Sequence, residues 1–282
     1  MGSHLIKAEK VIVGDGSILH DAYITVENGK IVKTGSDGAD IASSDVLDFS
    51  NRVIMPGIID THLHISGDGD APDPAMSRSL SDEYLAIRGA KWAELLLSHG
   101  ITTIADAAGR GNISLSVRES IEKGLVKGPR LLVCGRMITI TGGRDPIYGQ
   151  NEADGPDSVR RAARQEIARG VNFIKLAATG AISSEQTESM SVQFNVDEMR
   201  AAVEEAHNVG IPTHAHAYGD RGIENTIKSG VDVLVHGHPL SDENVALMKE
   251  YGTMYMPTLV TYYESQLHHH EGQLPEHMIR KE

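Results

Sequence analysis

The sequence predicts an α/β protein: a (β/α)8 TIM-like barrel with strands 1 to 7 visible and strand 8 absent, preceded by a small N-terminal β-sandwich domain. Three observations predict it. Short apolar strands run to about residue 53 with no helix-period stretch between them. From residue 58 onward, apolar runs alternate with longer helical segments, the pattern of a parallel barrel or a doubly wound sheet. Glycines then fall where helix after helix should stop, which suits the left-handed residue that terminates a helix. The expected division is 1–55 for the N-terminal part of a composite β-sandwich and 56–282 for a C-terminally incomplete barrel.

The N-terminal strands are read at 11–13, 22–26, 30–33 and 46–49, with Asn28-Gly29 as a hairpin turn between the second and third. The first barrel strand begins at Ile58, and Leu131 to Cys134 is a further apolar run ahead of the Ile140-Thr141-Gly142-Gly143-Arg144 stretch. Helices are predicted over 81–98, 114–123, 158–168, 196–208, 221–228 and 242–251. Asn195 followed by Glu198 forms a capping-box pattern. Gly100, Gly170, Gly210, Gly230 and Gly252 mark helix ends, and strands follow at 101–104, 173–176, 211–214, 233–235 and 254–256.

Chemistry collects at the C-terminal ends of these strands. Pro56-Gly57-Ile58-Ile59-Asp60-Thr61-His62-Leu63-His64 sets two imidazoles two residues apart. In a strand both rings leave one face, making half a site for a divalent metal such as zinc. Lys175 sits inside the apolar strand Phe173-Ile174-Lys175-Leu176, an expensive place for an ammonium unless it is paired or modified. His214, His216 and Tyr218 end the next strand, and His236 and His238 the one after. One His-x-His pair among 14 histidines is as readily a polar stripe as a metal site, but four such sites in order are harder to obtain by chance. Barrel active sites are built at these strand ends.

On these motifs the chain resembles the amidohydrolase superfamily, most closely its imidazolonepropionase-like and Xaa-Pro dipeptidase-like branch. The resemblance implies that His62 and His64 bind one metal, that Lys175 is carbamylated and bridges, and that His216 and His236 bind a second metal. His214 and His238 are the alternatives on the same strands, otherwise read as outer-layer donors or rim residues. The cofactors implied are two divalent metal ions, zinc expected, though such donors also accept manganese, iron or cobalt. Lys175 and His236 are the catalytic candidates; Tyr218 and Arg144 are the candidates for substrate binding. Two departures stand out: Arg144 where the family usually has histidine, and Val235 where it often has glutamate.

The function implied is a metal-dependent hydrolase that cleaves an amide C–N bond with a metal-bridged hydroxide. The expected substrate is a dipeptide or N-acyl amino acid with a free carboxylate. The alternatives are a cyclic amide, or an inactive truncated or complemented fragment, because no strand 8 and no candidate for the family's strand 8 aspartate are found. Truncation of a longer enzyme is the favoured explanation.

Composition narrows the partners. A net charge of -13 argues against nucleic acid and anionic membrane surfaces, and no run approaches the roughly 20 apolar residues of a membrane span. No signal-peptide pattern is found, and the lone Cys134 excludes an intrachain disulfide and reads as a buried thiol. The expectation is a cytoplasmic homo-oligomer acting on a small-molecule substrate. The segments Ala71 to Pro74 and His268-His269-His270 are read as rim loop and linker.

Overall fold

In the computed structural model, which describes residues 3–36, 45–67, 79–143, 150–261, 263 and 276–281, the chain divides into two units, Met1–Ile58 and Ile59–Glu282. In the first, Asn28 and Gly29 take φ values of 50° and 77°, as a two-residue hairpin demands. They join β2 (Ile18–Glu27) to β3 (Lys30–Gly35). β1 (Ser3–Ile12) runs antiparallel to β2 and parallel to β4 (Asp45–Ile54), giving one sheet in the order β3-β2-β1-β4. β1 is much longer than the three residues read from the sequence. Its buried residues Leu5, Ala8 and Val11 are spaced by three, and its register with β4 shifts between Ala8 and Lys10. A bulge of this kind breaks the period of two on which strand reading depends.

The strands from β5 (Ile58–Leu63) onward belong to two sheets. The first joins β5, β6 (Ile101–Asp106) and β7 (Arg130–Val133). The second has the order β13-β12-β11-β10-β8-β9, with every pairing parallel. Its strands are β8 (Met137–Thr139), β9 (Gln150–Glu152), β10 (Ile174–Ala177), β11 (Thr213–Tyr218), β12 (Val233–His238) and β13 (Met254–Met256). β8 and β9 were not foreseen; three residues each are too few to show an alternation.

One chain segment links the two sheets. β7 is the edge of the first, and β8, beyond the turn at Gly135 (φ 70°), pairs with β10 in the second. Asn172 bridges the break: its N–H donates to the Val133 carbonyl at 2.7 Å, and its Oδ1 accepts from the Val133 N–H at 2.9 Å. Followed through that segment, the strands neighbour one another in sequence order from β5 to β13, with β9 added outside β8.

The helices are α1 (Asp82–Ser98), α2 (Ile113–Glu122), α3 (Pro156–Ala168), α4 (Val196–Asn208), α5 (Asp220–Lys228), α6 (Asp242–Tyr251) and the short α7 (Glu276–Ile279). The first six lie within two residues of the predicted spans, and α4 starts on the Asn195–Glu198 capping box. Ile174, Leu176, Ala215, Ala217 and Leu234 pack against Val159, Met199, Ala202, Ile223 and Ile227 from the helices. This layer leaves the opposite strand face for the site. Among the described residues no helix is long and apolar enough to cross a membrane.

Glu205 of α4 ties that layer to α3. Arg164 Nε lies 2.7 Å and Arg160 Nη1 2.6 Å from its carboxylate, and these two guanidinium groups, Arg164 foremost, hold its pKa down at about 2. A depressed carboxylate contributes stability above its unfolded value, 4.5, which is lost as pH falls through the folded one. Glu205→Gln is therefore expected to lower stability by about 1–3 kcal/mol at neutral pH, with the deficit shrinking between pH 4.5 and 2. Urea unfolding of both proteins across that range checks it; a deficit independent of pH would remove the ion pairs from the account.

Candidate functional site

Strand parity decides which side chains meet. Ile174 and Leu176 belong to the helix-side core, so Lys175 takes the other face, where it is 1% exposed. Register pairs Lys175 with His214 and Ala177 with His216. Ala215 and Ala217 are in the helix-side core, so His214, His216 and Tyr218 share the face of Lys175.

β12 breaks this rule. Leu234 lies in the helix-side core, and His236 is register-paired with Ala217, another core residue, so alternation would turn it toward the helices. His236 instead has φ 68°, Gly237 follows at 66°, and the register shifts between Ala217 and Tyr218. A left-handed residue in a bulge re-aims its side chain, and the His236 ring stands 4.7 Å from that of His216 and 5.4 Å from that of His62. Such a backbone in a non-glycine residue costs on the order of 1–3 kcal/mol. Two bonds hold it: Tyr255 Oη donates to the His236 carbonyl at 2.9 Å, and His236 Nδ1 meets Thr258 Oγ1 at 2.7 Å.

His62 ends β5 and His64 lies one residue past it; their rings are 5.4 Å apart. The four rings thus form a row, His64, His62, His236, His216, each edge to face with the next at 75° to 85°. The Tyr218 ring stacks on His236 at 5.3 Å and meets His216 edge-on at 4.9 Å. His214 lies apart from the row, stacked on Phe173 at 4.3 Å. Burial, and secondarily the charge on Lys175, pushes its pKa down to about 3, which keeps it neutral. His238 closes β12, where its carbonyl accepts from the Gly219 N–H at 2.9 Å. Arg144, the loop Ala71 to Pro74 and His268-His269-His270 lie outside the described residues.

Hydrogen bonds fix where the ring lone pairs point. A carbonyl only accepts, so His64 donates through Nδ1 to the Ala108 carbonyl at 3.2 Å, and His216 through Nε2 to the Gly180 carbonyl at 2.6 Å. Thr258 gives its hydroxyl proton to the Pro257 carbonyl, so it accepts from His236 Nδ1. The ring nitrogens that these particular bonds do not use are Nε2 of His64, Nδ1 of His216 and Nε2 of His236. Imidazoles that bind metals show this habit of donating the second N–H to a fixed acceptor, and the donor set fits a divalent cation. Among the described residues no three or more His, Cys, Asp or Glu side chains are gathered so that they could hold a metal ion by themselves; a further oxygen donor would have to come from elsewhere, as a modified Lys175 would supply.

The acceptors Gly180 and Thr258 were not singled out from sequence, because a backbone carbonyl and a left-handed threonine (φ 51°) carry no pattern. Asp106 was missed too, although it ends β6 and is wholly buried. Burial pushes its carboxyl up to about 7, opposed in part by the Ser114 hydroxyl and the Ile65 N–H.

Residues 53–276 match the family model described as "Amidohydrolase family". The chain belongs to that family. This amidohydrolase is 31% identical to ochratoxinase of Aspergillus niger over 285 residues, 90% of this chain and 58% of that protein. It is 25% identical to imidazolonepropionase of Caldanaerobacter subterraneus over 264 residues, 84% of this chain and 61% of the other. A solved Xaa-Pro dipeptidase with methionine bound in its active site superposes with a TM-score of 0.88 at 28% identity, covering 99% of this chain and 72% of that one. A prolidase complexed with N-methylphosphonate-L-proline gives 0.89 at 28% identity, with the same coverage. These relationships place the amidohydrolase near the imidazolonepropionase and Xaa-Pro dipeptidase branch. It spans less than two thirds of the length of the two curated relatives, 58% and 61%.

Proposed function

We propose that the chain carries the metal-binding strands of a binuclear hydrolase that cleaves an amide C–N bond in a dipeptide or N-acyl amino acid. The row of four imidazoles, three with a second ring nitrogen already engaged, carries this reading. His62 and His64 would hold one cation, His216 and His236 the other, and Lys175 would supply a carboxylate between them. When bound, two such cations polarise the amide carbonyl and acidify a water molecule. Lys175 would give up its ammonium proton, add to carbon dioxide through the neutral amine and lose a second proton, so a buried cation would become a buried anion beside two cations, which removes the charge conflict. Tyr218, 6% exposed and packed against His216 and His236, would donate its hydroxyl to the substrate carboxylate, with Arg144 as a second contact.

The dipeptide reading draws support from the 28% identity to a solved prolidase and a solved Xaa-Pro dipeptidase over nearly the whole chain. We read the consecutive parallel strands as seven of the eight of a (β/α)8 barrel, which accords with exposed Ile59 on β5 and Met254 on β13, its outermost strands. The 1–55 segment is read as part of a composite sandwich, and the setting as a cytoplasmic homo-oligomer. Metal content by plasma mass spectrometry on protein purified without chelator tests the core of this. About two divalent metals per chain are expected from the two imidazole pairs; about zero would overturn the reading for this chain. Loaded protein that turns over only cyclic amides, and not Xaa-Pro dipeptides or N-acyl amino acids, would move the substrate to the imidazolonepropionase class.

A further inference from the structure

Asp106 is a wholly buried carboxyl group that no step above uses. A carboxyl in such a place is costly, so its position needs a reason. His64 has left β5, which ends at Leu63, and the strand ladder no longer fixes it. Its surroundings do so instead. The Ala107 N–H donates to the Leu63 carbonyl at 2.8 Å, the Gly67 N–H to the His64 carbonyl at 2.8 Å, and the ring to the Ala108 carbonyl at 3.2 Å. The next backbone donor along the chain, the Ile65 N–H, goes to Asp106 Oδ1 at 2.9 Å. Without that acceptor the buried Ile65 amide would be unsatisfied, at a cost that favours turning the peptide.

The other carboxyl oxygen, Oδ2, is given room by a glycine. A Cβ at Gly109 would collide with Ser114 Oγ and lie 3.3 Å from Asp106 Oδ2, so glycine there leaves room for the hydroxyl beside the carboxyl. β6 thus presents a side-chain acceptor to the residue after His64 and a backbone acceptor, Ala108, to its ring. We propose that Asp106 is a positioning residue for His64: its oxygen holds the Ile65 amide so that the ring donates through Nδ1 to Ala108 and turns Nε2 toward the metal site. This rests on the metal-site reading of His64. It is the acceptor oxygen that acts, so asparagine should serve in its place.

The test uses metal-free chain at a pH where imidazole is neutral, with His64 ring nitrogens observed by ¹⁵N correlation and assigned by their loss in His64→Gln. Wild type and Asp106→Asn should both show His64 protonated at Nδ1. Asp106→Ala removes the acceptor and Asp106→Glu displaces it by a methylene; both should shift His64 toward the Nε2–H form. Zinc affinity, by chelator competition, should fall at least about tenfold in Ala and Glu and stay within about twofold in Asn. A folded Ala or Glu protein with the wild-type His64 signal would overturn the proposal, and so would an Asn protein that loses it; if Ala and Glu do not fold, the Asn arm decides. Wild-type chain that binds no zinc would sink the metal reading, while the ring signals would still judge Asp106.

Discussion

On the proposed metal-site reading, replacing Lys175 with alanine is expected to lower kcat/KM by at least about a thousandfold, the several kcal/mol that metal-ion stabilisation supplies, and added formate or acetate to restore part of the loss. The side chain is 1% exposed and lies between the core residues Ile174 and Leu176 on the face opposite them. Truncation leaves a space beside His214, its register partner, that the surrounding strands cannot close without giving up their pairing. A carboxylate of one or two carbons would enter that space and provide the oxygens that a carbamate provides. The measurement is rate against carboxylate concentration, with metal content determined alongside. Activity and metal content unchanged in Lys175→Ala would exclude the lysine from the site. Lysine to methionine should be as inactive but resist rescue, since the space is filled.

The helices were legible because each signal was local. The Asn195–Glu198 box starts α4, Gly252 (φ 74°) stops α6, and Asn28-Gly29 turns the first hairpin. The candidate ligands could be named from their place at strand ends, and parity alone puts His214 and His216 on the face of Lys175. Parity would have put His236 on the wrong face, and the resemblance, not the pattern, singled it out. What turns it is a bulge stabilised by Tyr255 and Thr258, residues from the following strand and loop. β1 defeats the period of two for a similar reason, and the break between β7 and β8 is bridged by Asn172 and Glu166, which are remote in sequence from it. Bulges and junctions are decided by tertiary partners, and a one-dimensional pattern does not contain them.

The largest stability effect is expected at the break between β7 and β8. Glu166 of α3 is fully buried, and its carboxylate accepts from the Arg136 N–H at 3.2 Å, Arg136 Nε at 2.9 Å and Asn151 Nδ2 at 3.2 Å, and it pairs with Arg169. Removing one partner of a buried ion pair leaves uncompensated charge, so Glu166→Ala should cost about 3–5 kcal/mol, measured by urea unfolding of the metal-free protein. Glu166→Gln keeps an acceptor for the Arg136 N–H and should cost less. The consequence reaches the site. Arg136 immediately precedes β8, and β8 pairs through Ile138 with Leu176, the neighbour of Lys175. A loosened junction should therefore weaken zinc binding even under conditions where the protein remains folded. If both substitutions cost no more than about 1 kcal/mol, the size of an ordinary surface pair, Asn172 alone must hold the break, and zinc affinity should then be insensitive to Glu166 and respond to Asn172→Ala.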